Sequence, residues 1–251
     1  MIVTLSKDLR ILDLFLQSVE DKSKVIVGVD NNAVMSNIDK QYDCQLIGID
    51  EIYNDPFLSK FTTFKKCILI NYLLEQGKRN FLFCDDDCAI LKPVSMEQTR
   101  LKPVNYIDYS SNRVAQIIGC TKHHHEAGCF VLNLSDHEAN LYITMFWDFV
   151  AAMKEHEYLF FSQKDDNFMK ERERGFNMFF CDTMFLNKYF GEIQKIEDEN
   201  LAINLHDIHK HSLEDFELYL KINKLYCNIF HFNASKFKIQ FMEFFYKSII
   251  L

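Results

Sequence analysis

Asp85, Asp86 and Asp87 follow the apolar run Phe81-Leu82-Phe83-Cys84 and precede a second one, Ala89-Ile90-Leu91. Three adjacent anions at the rim of an apolar core repel one another, and water compensates them poorly there. A divalent cation held by Asp85 and Asp87 and bridging to phosphates resolves the conflict, because hard oxygen ligands at a strand end suit Mg2+ or Mn2+. Taken alone, the tripeptide reads equally well as a solvated acidic turn. His231 ends the apolar run Cys227–Phe230 and offers a neutral imidazole as third ligand, whereas a lone histidine is more often a core or turn residue. Lys236 could meet a phosphate as a point charge or simply open the last helix in solvent. Asp182 also leaves an apolar stretch; it can cap a helix, or its carboxylate can face a bound ligand. The run His123-His124-His125 is read as a polar loop, since adjacent residues rarely converge on one ion.

The surrounding pattern predicts elements able to gather these groups. Ile2–Leu5 reads as a strand, with Ser6 capping a helix whose apolar face is Leu12, Phe15, Leu16 and Val19, to about Glu20. Val25–Val29 and Cys44–Ile49 read as strands, and a helix carrying Phe64, Cys67, Ile68 and Tyr72 stops at Gly77. With Phe81–Cys84 this alternation predicts an α/β fold, a mostly parallel sheet flanked by helices. Ligands of such sheets bind beyond the carboxyl ends of the strands, where Asp30 and the three aspartates both fall. Residues 93–114 lack a clean period and read as a connection with a short helix. Gln116–Cys120 and Cys129–Leu134 read as strands separated by Lys122–Glu126. Ser135 and Glu138 form a capping box for a helix bearing Phe146, Phe149, Val150 and Met153. Gln163–Arg174 is charge-dense, a solvated helix or loop. Asn177–Cys181 reads as a strand, Met184–Phe190 as a helix, and 237–251 as a closing aromatic helix. Its stripe of Phe241, Met242 and Phe245 beside Lys238 and Lys247 suits packing on residues 1–236, the commoner use, or a peripheral membrane contact.

Composition narrows the class. The net charge of −8 and the lack of a basic stripe argue against nucleic acid as the main partner. None of the eight cysteines forms a Cys-x-x-Cys pair and most lie in apolar runs, which predicts buried thiols in a reducing compartment. The opening Met1–Ser6 has no basic leader and reads as a strand rather than a signal peptide; no apolar run is long enough to span a bilayer. A cytoplasmic location is expected.

In chain order, several segments resemble metal-dependent nucleotide-sugar glycosyltransferases of the GT-A fold, in particular the glycogenin-like and lipopolysaccharide galactosyl- and glucosyltransferase group (glycosyltransferase family 8). Ile2-Val3-Thr4-Leu5 is similar to the first strand, whose end touches the nucleobase, so the resemblance implies donor contacts at Thr4 and Ser6. Thr62-Thr63-Phe64-Lys65-Lys66 resembles a helix start that sets a basic residue near the donor, here Lys66 where Arg is more frequent. Asp85-Asp86-Asp87 matches the Asp-x-Asp metal motif, leaving Asp86 to contact sugar or ribose. Glu126-Ala127-Gly128-Cys129-Phe130-Val131-Leu132-Asn133-Leu134 resembles the strand beside the sugar, with Gly128 at the donor and Glu126 where Asn is usual. Asp182-Thr183-Met184-Phe185-Leu186-Asn187 resembles a helix start with Thr183 in place of Gln. His231-Phe232-Asn233 with Lys236 resembles the segment near the C-terminus, implying donor contacts at Asn233 and Lys236, although Ala234 replaces the usual Gly.

What the resemblance implies is transfer of a hexose from a UDP-sugar to a carbohydrate, lipid-linked glycan or other hydroxyl acceptor, with retention. A cation between Asp85, Asp87 and the phosphates offsets the charge growing on the departing diphosphate. Asp182 would be the general base of an inverting enzyme, or a positioning group in a retaining one. A haloacid-dehalogenase phosphatase wants its Asp-x-Asp near the start of the domain, followed by Gly-Thr; here three strand–helix elements come first and Cys88-Ala89 follows. A nucleotidyltransferase wants a glycine-rich basic loop after its first strand, and Ser6–Arg10 has no glycine. An inactive scaffold of the same fold is the remaining reading.

Overall fold

The structure, a computed structural model, describes residues 1–29, 43–58, 64–110, 113–117, 119–157, 181–204, 217–219, 221–222, 226–232 and 238–247. Asp30, Asn233 and Lys236 lie outside the described residues, as does the charge-dense Gln163–Arg174.

β1 (Ile2–Ser6), β2 (Val25–Val29), β3 (Gln45–Gly48) and β4 (Asn80–Cys84) form the parallel part of a seven-stranded sheet. β6 (Arg100–Asp108), β7 (Lys122–Asn133) and β8 (Ile196–Glu197) complete it in the order β3-β2-β1-β4-β7-β6-β8. β7 runs antiparallel to both neighbours, and β8 is parallel to β6. A three-stranded sheet of β5 (Cys88–Ile90), β10 (Ile229–His231) and β9 (Ala202–Asn204) stands beside it, with β10 in the middle. The fold is therefore mixed α/β, with a mostly parallel main sheet.

Alternation along the strands divides the core between the two sheet faces. Phe81 and Phe83 pack on one face with Val3, Ile26 and the helices, while Leu82 and Cys84 join Leu12, Phe15 and Leu16 on the other. Each fully buried apolar side chain stabilises the fold by about 1.5–3 kcal/mol. The helix Lys65–Glu75 is buried almost all round because it lies between the sheet and the long helix Asp136–Glu155. Its first turn is pinned by Phe64, whose ring stacks on Phe146 at 5.5 Å and Phe149 at 5.3 Å. Its far end closes at Gly77, whose φ of 77° suits glycine and lets its amide and that of Lys78 reach the Leu74 and Leu73 carbonyls.

Several local expectations are corrected. The first helix runs Leu9–Gln17, and Asp8 rather than Ser6 caps it by accepting from the Arg10 amide. Residues 93–114 contain the nine-residue β6, in which the backbone shifts register around Pro103. Gln116–Cys120 is no strand: Arg113–Ile117 is helical and Gly119 turns the chain at φ 67°. Lys122–Glu126 is no loop but the first part of β7. Cys181 is helical, within residues 181–192, so Asp182 lies inside a helix instead of capping it. The capping box at Ser135 and Glu138 forms as expected. On the closing helix, Lys238–Phe245, the stripe of Phe241, Met242 and Phe245 is buried with Leu14, Phe230 and Phe232. No helix among the described residues is long and apolar enough to cross a membrane.

Candidate metal and donor site

A cavity of about 380 Å³ opens beyond the carboxyl ends of β1 and β4. Leu5, Lys7, Asp8 and Ile11 supply one side of it; Lys66, the three aspartates, Asp182 and Lys238 supply the rest. This is where a parallel sheet leaves its binding crevice, and the volume suits a small organic ligand.

The three carboxylates have different surroundings. Asp85 lies 2.9 Å from the Lys66 ammonium, which also donates to the Ala127 carbonyl at 2.9 Å and sits 3.4 Å from Asp182. Burial pushes the Asp85 carboxyl up, and the Lys66 and His231 charges pull it back. Burial opposes the charge of Lys66 as well, yet Asp85 and Asp182 together raise its pKa above the ordinary lysine value. Asp86 accepts from the Ser6 hydroxyl at 2.6 Å, and burial with the neighbouring Asp87 charge raises its pKa to about 7. Asp87 lies 3.2 Å from His231 Nε2 and pairs with Lys238. Against the upward push of burial, these two cations hold Asp87 below the usual carboxylate range.

His231 reaches this cluster because β10 pairs antiparallel with β5, setting His231 opposite Cys88, and because the Phe232 amide donates to the Asp87 carbonyl. Its Nε2 is also 3.8 Å from Asp85 Oδ2. Burial alone would lower the imidazole pKa; Cys88, Asp87 and Glu126 beside it raise it to about 10. Gly128 lets the histidine come this close. A Cβ there would sit 2.3 Å from His231 Cε1 and 2.9 Å from Asp85 Oδ2, closer than real contacts allow.

Asp87 and Asp85 thus each bring a carboxylate oxygen to His231 Nε2, at 3.2 and 3.8 Å, donor types that fit Mn2+ or Mg2+, although the trio whose ligand atoms already lie within 4.8 Å of one another is Asp87, Cys88 and His231. Cys88 offers a sulfur near Asp87 and His231. Its buried thiol is held well above its ordinary pKa, which leaves the harder donors as the better ligands.

The structure brings Asp85, Asp86, Asp87, His231, Lys66, Gly128, Ser6 and Asp182 to one place. Thr4 is different. It is fully buried within β1, does not line the cavity, and its hydroxyl has no hydrogen-bond partner among the described residues. Sequence reasoning missed Lys238, taken above as part of a membrane or packing stripe; no local signal separates it from Lys247. It also missed Asn204, which touches His231 from β9. Asn187 proves structural: its side-chain oxygen accepts both the His124 and His125 amides at 2.9 Å, docking the helix 181–192 onto β7. That contact, with His125 Nε2 lying 3.2 Å from Glu197, places the histidine run in the fold rather than on a loop.

The fold is of the GT-A kind. The structure of the glycosyltransferase GlyE from Streptococcus pneumoniae TIGR4 matches 97% of this chain with a TM-score of 0.50 at 13% identity. Mouse xyloside xylosyltransferase 1 in its apo form matches 93% of the chain and 97% of its own length, at 10% identity and TM-score 0.40. A glycosyltransferase involved in glycosylating the major capsid of PBCV-1 covers 96% of this chain and 98% of its own, at 9% identity and TM-score 0.45. The fold correspondence rests on the first of these, and this chain spans 60% of that pneumococcal chain. No protein-family model matches the sequence, and no curated protein matches it by sequence comparison.

Proposed function

We propose that the chain is a glycosyltransferase of the family 8 type, moving a hexose from a UDP-sugar to a glycan or other hydroxyl acceptor with retention. The observation that carries the reading is the convergence of Asp85, Asp87 and His231 with Lys66 and Lys238 around one cavity at the carboxyl edge of a parallel sheet. Asp85, Asp87 and His231 would hold Mn2+ or Mg2+, which when bound supplies positive charge against the diphosphate as it departs. Lys66 and Lys238 neutralise these acids in the metal-free protein and are placed to turn toward phosphate oxygens. Ser6 orients Asp86, whose half-buried carboxyl then faces the sugar or ribose. Asp182, held beside Lys66, positions the sugar and stabilises the positive character that develops at its anomeric carbon.

Residues 1–236 form the transferase domain in this reading, and 237–251 close upon it, lending Lys238 to the site. Gly128, Asp30, Asn233 and Lys236 complete the donor contacts, whereas Thr4, buried in β1 away from the cavity, supports the strand from within. The eight free thiols suit a reducing cytoplasm. A thermal-shift panel of UDP-, ADP-, GDP- and CMP-sugars, with Mn2+ or with chelator, tests the reading. Stabilisation by UDP-sugars with Mn2+, absent in Asp85→Ala and Asp87→Ala, is expected. A folded protein stabilised by no nucleotide sugar would sink it.

A further inference from the structure

His231 occupies the middle strand of the small sheet, and its parallel neighbour in register is Asn204. Directly opposed residues of neighbouring strands share a sheet face, so the amide lies beside the imidazole. Asn204 Oδ1 is 3.1 Å from His231 Nδ1, and Asn204 Nδ2 donates to Glu126 Oε2. Glu126 also accepts the Gly128 amide at 3.0 Å, and its nearer oxygen is 3.7 Å from Nδ1.

Both carboxylate oxygens of Glu126 act as acceptors here, one from the Gly128 amide and the other from the Asn204 NH2. Asn204 must therefore turn its NH2 toward Glu126 and its oxygen toward His231, and an oxygen there requires a proton on Nδ1. The opposite nitrogen, Nε2, faces Asp87 and Asp85. We propose that Glu126 and Asn204 form a positioning relay that keeps the proton on Nδ1 of His231 and reserves Nε2 as the ligand for a divalent cation. The relay rests on the metal-binding reading above. It gives a reason for glutamate at position 126, where the family resemblance leads one to expect asparagine: an amide there would no longer force the orientation of Asn204.

The polarity of the relay can be reversed experimentally. Glu126→Gln puts a donor against the Asn204 NH2, frees that amide to flip, and should weaken Mn2+ binding about 10- to 100-fold, read from free Mn2+ by electron paramagnetic resonance. The double variant Glu126→Gln/Asn204→Asp restores a donor–acceptor chain running the other way, again with an acceptor facing Nδ1. It should recover affinity to within about threefold, the scatter expected between similar sites. A purely structural contact predicts no such recovery. In wild-type protein loaded with diamagnetic Zn2+, long-range 1H–15N spectra of 15N-histidine should show His231 bound through Nε2 and protonated at Nδ1. Metal on Nδ1, or wild-type Mn2+ affinity in folded Glu126→Gln, overturns the relay while leaving the metal site standing. Wild-type protein that binds no divalent cation overturns both.

Discussion

At the residue scale, the surroundings of the three aspartates separate them: Asp85 is compensated by Lys66, Asp87 by His231 and Lys238, and Asp86 by the Ser6 hydroxyl with a weaker pull from Lys238. Asp86 therefore carries the penalty of the crowding. Its folded pKa, about 7, lies above the ordinary 3.8, so the folded state holds a proton that the unfolded chain gives up. The group's relative stability is full below pH 3.8 and is lost as pH rises through 7. Asp86→Asn should thus match wild-type stability near pH 4 and exceed it above pH 7. The gain should be on the order of 1–2 kcal/mol, because the carboxyl is only half-buried. Denaturant melts across this range check it. Gly128→Ala acts through shape: its methyl would drive into His231 and Asp85. We expect a loss of about 1–3 kcal/mol in stability and at least a tenfold drop in Mn2+ affinity, measured by melting and by calorimetric titration.

At the element scale, each functional side chain is held by packing that has nothing to do with charge. Phe64, fixed between Phe146 and Phe149, sets the start of the helix that carries Lys66. The long helix supplying those two rings depends in turn on its capping box at Ser135. Ser135→Ala should cost about 1 kcal/mol in urea unfolding and leave Mn2+ affinity unchanged, since the cap lies away from the cavity. β1 to β4 were legible in the sequence because they are short, continuous apolar runs between polar turns. β6 was not: Leu101 is fully buried, but its other residues are mixed in polarity and Pro103 interrupts the ladder. The first part of β7 was hidden by its histidines, whose backbone is satisfied by Asn187 and whose His125 ring is buried beside Glu197. For the site, Asp85, Asp87 and His231 could be picked out by residue type and flanking pattern. Lys238 and Asn204 could not, because what marks them is a contact between elements distant in the chain.

At the scale of the whole molecule, an acidic chain of net charge −8 gathers carboxylates beside the cavity at the carboxyl edge of its sheet and balances them with Lys66, His231 and Lys238. These three cations come from the main sheet's flanking helix, the small sheet and the closing helix. The charge cluster is therefore assembled only when the two sheets and the last helix have docked. Such a site can exchange internal cations for a metal and a nucleotide diphosphate with little change in local charge. That exchange links metal and nucleotide: each should bind more tightly in the presence of the other, because each supplies charge that the other needs. The most direct measurement is calorimetric titration of UDP into the protein with Mn2+ and with EDTA, repeated on Asp87→Ala. The account predicts saturable binding with Mn2+ that weakens at least about a hundredfold in EDTA and in the variant, as expected when charge-assisted contacts to a metal are lost. Binding of UDP with equal affinity in EDTA, or undiminished binding by Asp87→Ala, would contradict it.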